Sequence, residues 1–116
     1  MKIREISEIL GAEVLCCHEL LDTDVHSACG CDLMSDVLAF VKDQSVLLTG
    51  LVNLQSIRTA DMMDMKCIVF VRGKKPDDAM LNLAVERGIV LLSSPLRMYI
   101  ACGRLYSAGL AGMSEE

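Results

Sequence analysis

Cys16, Cys17, His18, His26, Cys29 and Cys31 place six soft or borderline metal ligands within sixteen residues, the densest set of chemistry-bearing side chains in the sequence. Thiolates and imidazoles are what zinc and iron–sulfur centres select, so the set raises a metal site. Its spacing argues the other way. Adjacent Cys16 and Cys17 would point to opposite faces of a strand, and Cys29-x-Cys31 lacks the gap of roughly two to four residues found in common zinc sites. A Cys–His nucleophile drawn from the same residues needs a geometry that closeness in sequence does not supply. Asp32 and Asp36, four apart, could share a helix face for acid–base work or a divalent cation, but a cap followed by a solvated face accounts for the same pair.

A second constellation follows three apolar runs. Thr49-Gly50 leads to Asn53, Arg72-Gly73-Lys74-Lys75 leads to Pro76, and Ser93-Ser94 leads to Pro95. In an open parallel sheet, ligands gather outside the carboxyl ends of the strands, where backbone amides and helix N-termini face a crevice. If these ends are adjacent they form an anion pocket, with Arg72, Lys74 and Lys75 supplying charge and Thr49, Ser93 or Ser94 supplying hydrogen bonds. Ser, Thr, Asn and Gly are also the residues of caps and turns, and Asp77-Asp78 would complement the positive end of the following helix. Gly73-Lys74-Lys75 lacks the earlier glycine and the hydroxyl of a phosphate-binding P-loop, and the glycine patterns of dinucleotide sites and of the hydrolase elbow are missing. No catalytic residue, enzymatic activity or cofactor is expected.

The elements that must position these residues are legible in the hydrophobic pattern. Ile3, Ile6, Ile9 and Leu10 keep helical spacing and Gly11 ends the run; a strand-like Glu13–Cys16 follows. Residues 18–22 read as a turn or helical fragment, and Val25–Cys29 as a short strand. Asp32 or Ser35 can cap a helix whose Val37, Leu38, Phe40 and Val41 cover one broad face. From there strand-sized apolar runs, Val46–Thr49, Ile68–Val71 and Ile89–Leu92, alternate with helical segments over Asn53–Asp64 and Pro76–Arg87, the latter closed by Gly88. Near-continuous apolar runs indicate strands buried on both faces, hence an α/β layered fold with a mainly parallel sheet covered by helices. The last helix takes Ser94 as N-cap and Pro95 as first position, and Met98, Tyr99, Cys102, Leu105 and Tyr106 keep helical order until Gly109, reading as core, with an interface the other use of Met98, Tyr99, Leu105 and Tyr106. Met62, Met63 and Met65 also read as core filling, with an adaptable interface as the other use of such a cluster.

The chain has 116 residues, enough for one domain over residues 1–112, with 113–116 expected to fray. Sixteen acidic against eleven basic side chains give a net charge of −5, which opposes non-specific attraction to nucleic acid or anionic membranes. No run reaches the roughly 18 residues of a membrane-spanning helix, and the charged start lacks the apolar core of a secretory signal. A soluble, cytoplasmic protein is expected, its six cysteines reduced and several of them buried.

The combination of Asp32-Leu33-Met34-Ser35-Asp36-Val37-Leu38, Leu48-Thr49 followed by Asn53 to Ala60, Val71-Arg72-Gly73-Lys74-Lys75-Pro76 and Gly103-Arg104-Leu105-Tyr106 resembles the DRTGG domain. The likeness is to small stand-alone members related to the N-terminal domain of HPr kinase/phosphorylase, and it covers nearly the whole chain. Ile57-Arg58-Thr59-Ala60 echoes part of the naming motif, and Arg72-Gly73-Lys74 stands where Thr-Gly-Gly is expected. The resemblance implies a three-layer α/β domain, often dimeric, that accompanies phosphotransacetylases and CBS-domain pyrophosphatases as a regulatory or oligomerising part without catalysis of its own. Kinase chemistry in that family resides in a separate P-loop domain, and some stand-alone relatives are hydrogenase-associated. The expected function is therefore a regulatory or protein-interaction module that forms a homodimer or meets an unidentified protein partner. The alternative is a sensor of a nucleotide or other small anion at Thr49, Asn53, Arg58, Arg72, Gly73, Lys74, Ser93 and Ser94, and a metal- or redox-associated accessory protein comes third.

Overall fold

A computed structural model describes residues 1–40 and 44–110, the side chain of Phe40 excepted. The expected fraying of 113–116 and the place of Val41 on the second helix lie outside the described residues. Five helices, α1 (Ile3–Ile9), α2 (Met34–Phe40), α3 (Leu54–Met62), α4 (Asp78–Arg87) and α5 (Met98–Ser107), pack around five strands. The strands are β1 (Glu13–Val14), β2 (Ser27–Gly30), β3 (Ser45–Thr49), β4 (Cys67–Phe70) and β5 (Val90–Ser93), in the order β1-β5-β4-β3-β2. β2 to β5 run parallel, and β1 joins the far edge antiparallel, Glu13 opposite Ser93.

The three apolar runs become β3, β4 and β5, and every residue in them is buried. Each successive parallel strand lies one place further along the sheet, so right-handed crossovers put α2, α3 and α4 on the same face. α3 packs between α2 and α4 there, while α5 packs on α1 and against β2 and β3 from the other side. The result is the expected α/β fold, a mainly parallel sheet with helices on both faces.

Local chemistry sets three of the helix ends. The Asn53 side chain accepts from the Ser56 N–H at 3.3 Å to start α3, and Asp77 accepts from the Met80 N–H at 2.9 Å to start α4. Pro76 therefore precedes the cap and is not in the first turn, and Gly88 closes α4 at φ 69°. Most strand and helix boundaries shift by one or two residues from the sequence reading, β1 stopping at Val14 rather than Cys16, and three starts matter for the site. β2 lies two residues later than expected at its start, α2 begins at Met34 with Ser35 inside it, and α5 begins at Met98 after Arg97, four residues beyond Ser94. Val37 is buried while Leu38 is largely exposed.

All six cysteines are free thiols. Cys67 is fully buried in the central strand, where burial drives its thiol pKa up. Burial, and secondarily the neighbouring Cys16, pushes Cys17 up to about 12. Unfolded thiols ionise near 8.5, so the stability held by these neutral buried groups is complete below about pH 8.5 and falls as pH rises above it. Native protein exposed to a maleimide at neutral pH should take label at the half-exposed Cys31 first. Cys16, Cys17 and Cys67 should stay unmodified until denaturant is added, as read by intact mass; label on Cys67 without denaturant would contradict the buried assignment.

Candidate functional site

Parallel pairing brings the carboxyl ends of β2, β3, β4 and β5 to the same end of the sheet, and with them Asp32, Thr49, Arg72, Lys74, Ser93 and Ser94. The centre of this end is Gly50, a buried residue directly after β3. An added Cβ there would lie 3.0 Å from Arg72 Nη2, 3.6 Å from Lys74 Nζ and 3.6 Å from Asp32 Oδ2, so three charged side chains converge over a position kept free of a side chain. Asp32 Oδ1 accepts from the Gly50 N–H at 2.7 Å and from the Thr49 hydroxyl at 3.0 Å. The Gly50 N–H above all, then Thr49 and the charges of Arg72 and Lys74, hold the Asp32 carboxyl below its ordinary range, while partial burial works in the opposite direction.

The loop after β4 delivers the two cations. Arg72 sits in the left-handed region at φ 60°, a conformation that costs a non-glycine residue about 1–2 kcal/mol, and its N–H donates to the Leu96 carbonyl at 2.7 Å. Gly73 N–H donates to the Ser94 carbonyl at 2.7 Å, which ties this loop to the one after β5. Lys74 Nζ donates to the Gly50 carbonyl at 2.9 Å. Among the described residues the Arg72 guanidinium has no hydrogen-bond or ion-pair partner within bonding distance.

The anion pocket expected from the sequence is only partly assembled. Thr49, Arg72, Gly73, Lys74, Ser93 and Ser94 come together, but the hydroxyls are engaged within the fold. Thr49 donates to Asp32, Ser93 to the Lys74 carbonyl at 2.7 Å, and Ser94 to the Leu10 carbonyl at 2.8 Å. Ser94 is not the cap of α5; it also accepts from the Leu96 N–H at 3.2 Å. Asn53 serves as the cap of α3, and Lys75 is drawn to Glu13 of β1 at 3.0 Å. Arg58 lies elsewhere, in a groove of about 240 Å³ between α3 and α4 with Ile57, Met62 and Leu83, beside the Arg87–Asp61 pair. Asp32, read from sequence as a cap or as half of a carboxylate pair with Asp36, is neither. It precedes α2 and holds the strand-end loops together across 17 and 18 residues of chain.

The cysteine and histidine cluster is pulled apart by the topology. Cys16 and Cys17 follow β1 at one edge of the sheet, whereas Cys29 lies in β2 and Cys31 directly after it at the other edge. Cys16 Sγ donates to the Ile89 carbonyl and Cys17 Sγ to that of Ala84, and both histidines are exposed. Among the described residues no three His, Cys, Asp or Glu side chains are grouped to hold a metal ion.

One surface falls where core was the favoured reading and an interface the other. On α5 the residues that bury are Ala101 and Leu105, while Tyr99, Ile100 and Tyr106 are 85%, 46% and 71% exposed. Tyr99, Ile100, Gly103 and Arg104 line a groove of about 500 Å³ with Ile9 of α1 on its other wall. The methionine cluster divides likewise, Met65 buried and Met62 72% exposed. No described helix is long and apolar enough to cross a membrane.

No family model matches the chain, and no curated protein is similar to it. Among solved structures it is similar to the CBS and DRTGG domains of the regulatory region of Clostridium perfringens pyrophosphatase, solved with the activator diadenosine tetraphosphate. The TM-score is 0.74 at 13% identity, over 90% of this chain and 45% of that one, so the chain spans less than half the length of its structural neighbour. The likeness is one of fold and supports a DRTGG-like α/β domain; it carries nothing about a relation to HPr kinase/phosphorylase.

Proposed function

We propose that this chain, a fold neighbour of a pyrophosphatase regulatory region, is itself a non-catalytic regulatory domain that works by pairing with a protein surface, that of a second copy of itself. The observation that carries the reading is the α5 face, where two tyrosines and an isoleucine stand in solvent on a helix whose opposite side is anchored in the core. Aromatic residues are enriched where proteins meet, and contiguous exposed apolar surface marks such places. The charges beside the groove favour a like partner. Arg104 lies on its α5 wall and the exposed Glu5 on α1, one turn before Ile9, and a twofold axis joining two such faces would repeat any Arg104–Glu5 contact in both directions. The domain is taken to span residues 1–112 and to act in the cytoplasm.

Light scattering at micromolar concentration should give about twice the 12.7 kDa of the chain, and the Tyr99→Glu, Ile100→Glu double variant should give the monomer with an unchanged far-UV spectrum. A monomeric wild type would remove the homodimer. A second reading, sensing of a small anion at the strand ends, draws on the convergence of Arg72 and Lys74 over Gly50 and on the nucleotide activator bound by the neighbour's regulatory region.

A further inference from the structure

The arrangement around Gly50 is that of an anion cradle with its own carboxylate seated in it. A backbone N–H, a hydroxyl, an ammonium and a guanidinium face one small volume, and the group now accepting the first two is Asp32. A carboxylate uses this setting incompletely. Both hydrogen bonds go to Oδ1, and the Arg72 guanidinium, with its fork of donors, bonds to nothing among the described residues. A phosphoryl group carries up to two charges and three terminal oxygens in tetrahedral array, so it can reach the N–H and hydroxyl with one oxygen and the two cations with the others.

We infer that the strand-end cradle is a phosphoryl-binding site whose resident occupant is Asp32, and that a phosphate or diphosphate group binds by displacing that side chain. The inference rests on the anion-sensing reading and adds to it a ligand class and a competing group. Asp32 is free to leave, since it is an exposed residue of the link between β2 and α2 and belongs to neither element. Departure releases the tie between this link and the loop after β3. Ligand binding would thus be coupled to the position of α2 without any movement of the sheet.

Titration calorimetry of the full chain with inorganic phosphate and with pyrophosphate, at ionic strength held constant with sodium chloride, tests this. Asp32→Asn keeps an acceptor for Gly50 and Thr49 while removing the competing charge, and it should bind pyrophosphate about tenfold more tightly than wild type. Arg72→Gln, which breaks no hydrogen bond of the described fold, should bind about tenfold more weakly. Pyrophosphate binding that depends on Arg72 but is equal in wild type and Asp32→Asn would leave anion sensing standing and overturn the role of Asp32. Binding of citrate in preference to both phosphates would leave the sensor and overturn the phosphoryl assignment. Binding unaffected by Arg72→Gln, or none in either protein, would overturn the cradle altogether.

Discussion

Phe70→Ala should lower the unfolding free energy by about 3–5 kcal/mol, a large share of the roughly 5–15 kcal/mol available to a domain of this size. Phe70 is fully buried at the end of the central strand, opposite Thr49 of β3 on one side and Ser93 of β5 on the other. With neighbours fixed in a paired sheet the site cannot collapse, so the loss combines the transfer of the ring with the cavity left behind. Urea denaturation measures it, as a shift in midpoint at nearly constant slope. The control is Met62→Ala on α3, where the side chain is 72% exposed and the change should stay within about 0.5 kcal/mol. A Phe70→Ala variant as stable as the control would show that the central strand is not packed as described.

The second large effect falls on a residue that looked like a ligand. Ser94→Ala should cost about 1–3 kcal/mol, because it strands the buried Leu10 carbonyl and the part-buried Leu96 N–H at once. The hydroxyl is fully buried, donates to the Leu10 carbonyl at 2.8 Å and accepts from the Leu96 N–H at 3.2 Å, joining segments 84 residues apart. Pyrophosphate affinity, if Arg72 and Lys74 hold the ligand, should be the same in this variant as in wild type. Stability unchanged with affinity lost would reverse the assignment and return Ser94 to the binding site.

These two residues also mark where sequence reading succeeds and where it stops. β3, β4 and β5 were legible because burial on both faces writes itself as an unbroken apolar run, and Asn53 and Gly88 because caps act on their immediate neighbours. Ser94 has the composition of a cap, but its partner is Leu10, and no local pattern encodes a bond between the first helix and the last loop. Asp32 is the same case, its acceptor role set by β2 and β3 lying side by side. The α5 face was misassigned for another reason. Helical spacing shows that Met98, Tyr99, Cys102, Leu105 and Tyr106 recur with the turn, but not how wide the buried stripe is; it closes at Ala101 and Leu105 and leaves both tyrosines outside. The cysteines show a limit of counting, since residues fifteen apart in sequence, such as Cys16 and Cys31, can stand at opposite edges of a sheet.

The antiparallel edge has a consequence for the order in which the chain can assemble. β1 pairs with β5, Leu15 N–H donates to the Leu91 carbonyl, and α1 packs on α5, so these elements take distant partners, besides the local bonds from Met1, Ile3 and Arg4 to residues 21–25. The β2-to-β5 units can close one after another over short loops, whereas docking of the N-terminal segment closes a loop of some eighty residues and belongs after the rate-limiting step. Substitutions in α1 should accelerate unfolding while leaving the refolding rate nearly unchanged.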